Sequence, residues 1–402
     1  MRHLLGLGLF LTVASFSFAD DDPKAKPNTL TPKEVADGWI LLFDGESTIG
    51  WKAPDESKWT VEKGMLSPQG DKPARLVTTT AFADYDLSLE YQVKLDSKAE
   101  LLISCDADGK QGRPVELPFH GNGWTTGGFV VHNGHVTEGG FSGPSGGGRF
   151  ANDTSGEKAK NSGYLAFSGS NLIVRNIKLK PAGEKSIFNG KDLDSWKVFA
   201  GATPKVKSEF NVKDGTISLK NGPGDLQSKD AWADFVLQIE CISNGKELNS
   251  GVFFRCRPDE YQMGYEAQIH NGWTEKPEKT YKIEEYDPKT NELKDTKEVK
   301  SAAKDYGTGA IYRRVPARRE VAKDREWFTM TIVAQGRHIA TWVNGIQVVD
   351  WTDNRPLKDN ARNGCKLEKG PISLQGHDPT TDLNFRNIRI AELPPLVQAE
   401  KK

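Results

Sequence analysis

Cysteine and methionine are scarce in this chain, four of each among 402 residues, and neither sign of charge prevails. The 54 Lys and Arg stand against 55 Asp and Glu, a formal net charge of −1, which leaves no electrostatic footprint for a nucleic acid or an anionic membrane. A neutral ligand fits that balance best. Cys105, Cys241, Cys256 and Cys365 match no zinc or CxxC spacing. They read as small buried apolar side chains, with a Cys241–Cys256 bridge across a hairpin as the alternative. Past the N-terminus no hydrophobic run is long enough to span a membrane, and no stretch keeps a 3.6-residue period. Missing too are the G-x-S-x-G elbow of α/β-hydrolases and the HExxH helix of zinc proteases.

Turn and strand formers fill the space, with 40 Gly, 21 Pro, 10 Trp and 18 Phe. The length exceeds one ordinary domain. At the start, Arg2 and His3 precede the apolar run LLGLGLFLTVASFSF, and Ser17-Phe18-Ala19 offers small residues for cleavage. Residues 1–19 therefore read as a signal peptide, and the product as exported and soluble, periplasmic or extracellular.

The sequence repeats itself once. FDGESTIGW (Phe43 to Trp51) returns as FNGKDLDSW (Phe188 to Trp196), AFADYDLSLE (from Ala81) as AWADFVLQIE (from Ala231), and VRNIKL (from Val174) as FRNIRI (from Phe385). The order is kept while the offset grows from 145 to 150 to 211, so one domain is duplicated and its second copy carries insertions. The copies span 35–181 and 186–393. Within each the period is two: Tyr85, Leu87, Leu89, Tyr91 and Val93 alternate with polar residues, as do Phe235, Leu237, Ile239 and Cys241. Each copy is expected to be an antiparallel β-sandwich with one sheet face free for a ligand. Residues 121–148, with eleven Gly, read as a flexible loop that lacks a phosphate-loop ending. In 273–305, 17 of 33 residues are charged, which marks a solvated excursion.

Chemistry concentrates in the second copy. In GYEAQIHNG (Gly264 to Gly272), alternation sends Tyr265, Ala267 and Ile269 to the core and Glu266, Gln268 and His270 to the open face. Arg255 closes the apolar strand of NSGVFFRC, which begins at Asn249, while Tyr312 and His377 end the runs TGAIY and LQGH. These groups donate, accept or shuttle protons. In the first copy the corresponding PVELPFHG keeps Glu116 and His120 but has Pro118 at the Gln position; Ser104 stands for Arg255 and Ser170 for His377. The first copy is thus expected to support or bind, and the second to react. His132 and His135 lie three apart in a Gly-rich stretch, which is not a helical zinc pair.

The ordered set FxGxxxxxW, ADF-x-L-x-x-E, NSGVFFR, GYEAQI, TGAIY, WVNG, LQGH and FRNIRI resembles the 3-keto-disaccharide hydrolase family, also described as 3-keto-glucoside 1,2-lyase/3-keto-2-hydroxy-glucal hydratase. The resemblance covers nearly all of 186–393, and in 35–181 only the two ends and the ADYDLSLE strand. It implies two concanavalin A-like jelly-roll β-sandwiches in tandem, all-β, with a sugar or oligosaccharide on the concave sheet. The implied reaction is C2 proton abstraction beside a C3 ketone, β-elimination at C1 and hydration. Glu266 and His377 are then base and acid in either order, Arg255 the enolate stabiliser, Tyr312 a second donor, and Gln268, His270 and Asn249 the hydroxyl ligands. No cofactor is required; a divalent metal on Glu266, His270 and His377 is the alternative to Arg255. A lectin-like binding protein and a two-carboxylate glycosidase are the competing functions.

Overall fold

The computed structural model describes residues 26–396 apart from 55–56, 71, 150–161 and 200–202. The expected signal peptide lies outside the described residues. Among those described no helix is long and apolar enough to cross a membrane.

The chain is almost entirely strand, arranged as two β-sandwiches with the same topology. Each pairs an eight-stranded sheet with a five-stranded one. In the first copy the five strands run in the order Trp51–Lys52, Ala74–Thr78, Tyr164–Gly169, Ala99–Cys105, Arg113–Glu116. In the second the order is Trp196–Val198, Gly224–Ser228, Ser373–Gly376, Ser250–Phe254, Tyr265–Ile269. Every pairing within these sheets is antiparallel. The period-two reading holds: Tyr85–Val93 alternates buried and half-exposed residues along its whole length.

The repeated motifs have a common physical basis. Asp44 caps the turn of FDGESTIGW by accepting from the Glu46 and Ser47 N–H groups, and Asn189 does the same for Lys191 and Asp192. Nine residues apart, the Trp51 indole donates to Leu42 O and the Trp196 indole to Ile187 O. In each copy an Arg–Glu pair then links the last long strand to its neighbour, Arg175 to Glu90 and Arg386 to Glu240. Both guanidinium groups stack on a tryptophan, Trp124 at 3.8 Å and Trp327 at 3.9 Å.

The copies are fused rather than strung together. Val236, Val333, Ala340 and Trp342 leave the second core and join the first copy's apolar cluster. Trp342 Nε1 donates to Leu41 O, and Leu41 N to Gly345 O. Strand Phe235–Ser243 is therefore covered on both faces, its outward Gln238 tied to Gly38 O at 2.8 Å.

Two local expectations change, and the reading of the cysteines as buried apolar side chains holds. The glycine-rich stretch is not a loop: Thr125–His132, His135–Gly143 and Gly146–Arg149 are strands at the edge of the eight-stranded sheet. Glycine there makes room, since a Cβ on Gly148 would lie 2.6 Å from the Phe141 ring. The charged excursion contains a hairpin, Lys279–Tyr286 with Leu293–Ser301, whose Tyr281 hydroxyl donates to Ala303 O and accepts from Tyr306 N. All four cysteines are buried and unbridged.

Candidate active site

The five-stranded sheet of the second copy turns one face to the core with Leu226, Leu374, Val252, Phe254, Tyr265, Ala267 and Ile269. The opposite face carries Asp225 and Gln227, Ser373 and Gln375, Gly251 and Phe253, Glu266 and Gln268. Register brings them into rows: Asp225 beside Gln375, Gly251 beside Gln268, Phe253 beside Glu266. Their polar side chains are nearly all out of solvent, which is costly without partners or a ligand. Among the described residues Gln375 Oε1 has no hydrogen-bond partner, and Asp225 Oδ1 and Ser373 Oγ have none beyond each other.

Over one end of this face lies a cavity of about 500 Å³, within the usual range of ligand sites. Asn249, Glu266, Tyr312 and His377 all line it. Segment 308–312 runs along the free edge of Tyr265–Ile269, with Gln268 N donating to Ala310 O and Tyr312 N to Glu266 O. That edge pairing sets Tyr312 next to Glu266.

Glu266 is 4% exposed. Burial pushes its carboxyl up to about 7, against the pull of Arg362 and His377 and with a push from Asp305. The absence of a side chain at Gly251 creates its space, because a Cβ there would lie 2.8 Å from Glu266 Oε1. Arg362 Nη2 donates to Glu266 Oε2 at 3.0 Å and Nε to Gln262 O at 2.9 Å. Its guanidinium sits 5.2 Å from the Phe253 ring centre and 5.8 Å from that of Tyr312. His377 is exposed, with Nδ1 2.9 Å from Asp378 Oδ2. Hydrogen bonds to Thr380 and His377 outweigh burial and hold the Asp378 carboxyl below its usual range. An ionised Asp378 makes Nδ1 the protonated nitrogen and leaves Nε2 as the exchanging atom.

Three expected site residues stand elsewhere. Arg255 is fully buried and does not enter the cavity. It follows the last strand residue at φ 49°, so the alternation breaks; its guanidinium donates to Ala233 O, Gly336 O, Lys366 O and Asp234 Oδ1. It is a structural tie, and the cation at the site is Arg362. Gln268 lies behind the cavity, where its Nε2 donates to Asp305 Oδ2 at 2.9 Å, and Asn249 Nδ2 reaches the same oxygen at 2.7 Å. Gln268 therefore orients Asn249 through Asp305. His270 also lies outside the cavity lining, its Nδ1 accepting from Gly272 N. Glu266, His270 and His377 thus do not converge as a ligand set; among the described residues no group of three His, Cys, Asp or Glu is placed to hold a metal ion. A second carboxylate does exist on the face. Asp225, fully buried, is pushed by that burial up to about 7, and its Oδ2 accepts from Gln262 N. It lies three strands from Glu266 and one row along, in the row of Gln268, about 16 Å away at the backbone.

The first copy departs further than its sequence suggested. Register places Glu116 opposite Glu100, the position of Gln268 opposite Gly251, so the residue at the Glu266 position is Pro114. Ser104 and Ser170 do stand where Arg255 and His377 stand. Val77, Leu102 and Ala166 replace Gln227, Phe253 and Ser373, and pack as an apolar patch with Cys105 under Tyr164.

Residues 38–160 and 183–391 match the model of a family described as the 3-keto-alpha-glucoside-1,2-lyase-like domain. The chain belongs to this family. Membership in the lyase-like family makes it a carbohydrate-active protein, duplicated as its internal repeat indicates. No curated protein matches it. Among solved structures it is similar to a "putative glycosyl hydrolase" from Parabacteroides distasonis, at 19% identity over 53% of this chain and 94% of that one, TM-score 0.39. A second protein of that description from the same organism shares 24% identity over 53% and 100%, TM-score 0.36. Carbohydrate-binding module CBM66 from Bacillus subtilis shares 13% over 49% and 95%, TM-score 0.29.

Proposed function

We propose that the second copy cleaves 3-keto-glycosides by C2 proton abstraction, β-elimination at C1 and hydration, a net hydrolysis. The observation that carries this reading is Glu266, a buried carboxylate poised near 7 beside Arg362 in a cavity that also presents His377. A base with a pKa near the working pH combines ionised form with proton affinity.

A ketone at C3 acidifies the C2 proton because the electron pair left behind delocalises onto the carbonyl oxygen. Glu266 takes the proton, and its negative charge passes to the enolate. Arg362, whose counter-ion has just been neutralised, is then the cation available to that oxygen. The enolate collapses back to the ketone, a C1–C2 double bond forms, and the C1–O bond breaks as His377 Nε2 protonates the leaving oxygen. Water then adds to C1 and gives a proton to His377, while Glu266, whose acid proton exchanges with solvent during the lifetime of the unsaturated intermediate, delivers a solvent-derived proton to C2. Both residues end as they began. Tyr312 supplies a second donor, and Asn249, held by Asp305 and Gln268, binds a hydroxyl.

The test is incubation of the full chain with a 3-keto-disaccharide and with its unoxidised parent, with and without chelator. Cleavage of the keto sugar alone, unaffected by chelator and lost in Glu266→Gln, is the expected result. Cleavage of the parent would favour an ordinary glycosidase, and binding without turnover a lectin. Loss of activity with chelator would bring a metal into the site.

A further inference from the structure

Three arginines line the cavity around Glu266: Arg313, Arg314 and Arg362. Arg362 is matched by Glu266 at 3.0 Å. Arg314 donates to Arg362 O and lies 3.7 Å from Glu284 on the charged hairpin. The nearby acid Asp305 is engaged by Asn249 and Gln268. Arg313 has no such match. Among the described residues neither hydrogen bond nor ion pair engages its guanidinium, and its aromatic neighbour is the adjacent Tyr312 ring, 5.5 Å away.

The backbone at this residue is left-handed, as it is at 20 other described non-glycine positions. Ile311 and Val315 pair with each other through both N–H groups, so 312–314 form a tight turn. Arg313 occupies it at φ 61°. That left-handed conformation suits glycine and is unfavourable for any residue with a Cβ. The turn would close more easily with glycine, yet the sequence places there a long cation, exposed and with its charge unspent, on the rim of the cavity.

We propose that this site takes acidic sugars: the substrate carries an anionic substituent, a carboxylate or a sulfate ester, that pairs with Arg313. The inference rests on the keto-glycoside reading of the same cavity and names its substrate class. It also qualifies the neutral-ligand expectation drawn from the balanced composition, because net charge averages over a surface whereas recognition depends on the few groups at the cavity. Arginine suits both anions, since its planar fork binds carboxylate and sulfate oxygens in pairs.

The test measures binding of the full chain by calorimetry to three disaccharides of matched skeleton: neutral, uronate-bearing and O-sulfated. The expected result is at least tenfold tighter binding of one acidic form, a preference that shrinks as salt rises and falls toward one in Arg313→Ala. The arm that binds tightest distinguishes carboxylate from sulfate. Equal binding of acidic and neutral sugars overturns the proposal, as does a preference that Arg313→Ala leaves unmoved. Because binding is read without turnover, failure here is separable from failure of the cleavage chemistry. Acidic preference in a chain that cleaves no keto sugar sustains this inference and sinks the other; cleavage with no acidic preference does the reverse.

Discussion

The two five-stranded sheets share strand order and register, but their open faces have diverged almost completely. Where the second copy sets Glu266, Gln227 and Ser373, the first sets Pro114, Val77 and Ala166. On the inward faces Leu226 answers to Leu76, Leu374 to Phe167 and Val252 to Leu101. Core packing and the hydrogen-bond ladder hold the inward face constant, because a change there leaves a cavity or a clash. The open face is under no such constraint. Buried polar groups oppose folding unless partnered, and the first copy has replaced them with a small apolar patch. Their retention in the second copy is what a ligand would require.

Four experiments would break or sharpen that contrast. The largest effect is expected from Glu266→Gln, which keeps shape and removes the base: turnover falls by about 10²–10⁴-fold with the melting temperature little changed, whereas Glu116→Gln in the first copy leaves turnover intact. Next is Arg255→Met. Its loss strands Asp234 and three carbonyls, so chemical unfolding should show about 3–5 kcal/mol of lost stability, against less than about 1 kcal/mol for Ser104→Ala. Third, Gly251→Ala pushes into the Glu266 carboxylate and should lower turnover by up to about 10²-fold through misplacement, with the protein still folded by circular dichroism.

The smallest effect is in pH. With Glu266 as base, kcat/KM rises tenfold per pH unit below about 7; a flat profile there would remove Glu266 from the role. Stability runs the opposite way. The folded-state values of Glu266, Asp225 and Glu184, all near 7 through burial, lie above their unfolded values. Each contribution is therefore full below about pH 4 and lost as pH rises through 7. Thermal melts should show the chain losing up to a few kcal/mol from pH 5 to pH 8, with a shallower slope in Asp225→Asn.

The sandwich architecture was legible because alternation and duplication are carried by many residues at once. Site residues were legible inside a regular strand or at its paired edge, as Glu266 and Tyr312 are, and immediately beside a strand end, as Asn249 and His377 are. Arg255 was misread because the alternation was carried one residue past the strand, where φ turns positive. Arg362 was missed because it lies in an irregular segment whose fold depends on contacts with Gln262 and Glu266, which no local pattern encodes. Asp225 was within reach: GDLQS alternates as plainly as YEAQI. Likeness of side chains misled at Glu116, where the ladder with Ala99–Cys105 fixes a register two residues away. The glycine-rich strands defeated propensity, since edge pairing outweighs glycine's poor strand preference.

The central claim, that the open face of the second copy removes a proton from C2 of a keto sugar, is tested most directly in deuterium oxide. A 3-keto-disaccharide cleaved by the full chain should yield a keto-monosaccharide carrying deuterium at C2, above an enzyme-free control, and Glu266→Gln should abolish both cleavage and labelling. Cleavage at full rate with hydrogen retained at C2 and with no primary isotope effect on a C2-deuterated substrate would mean that the glycosidic bond breaks without an enolate, and would contradict the account.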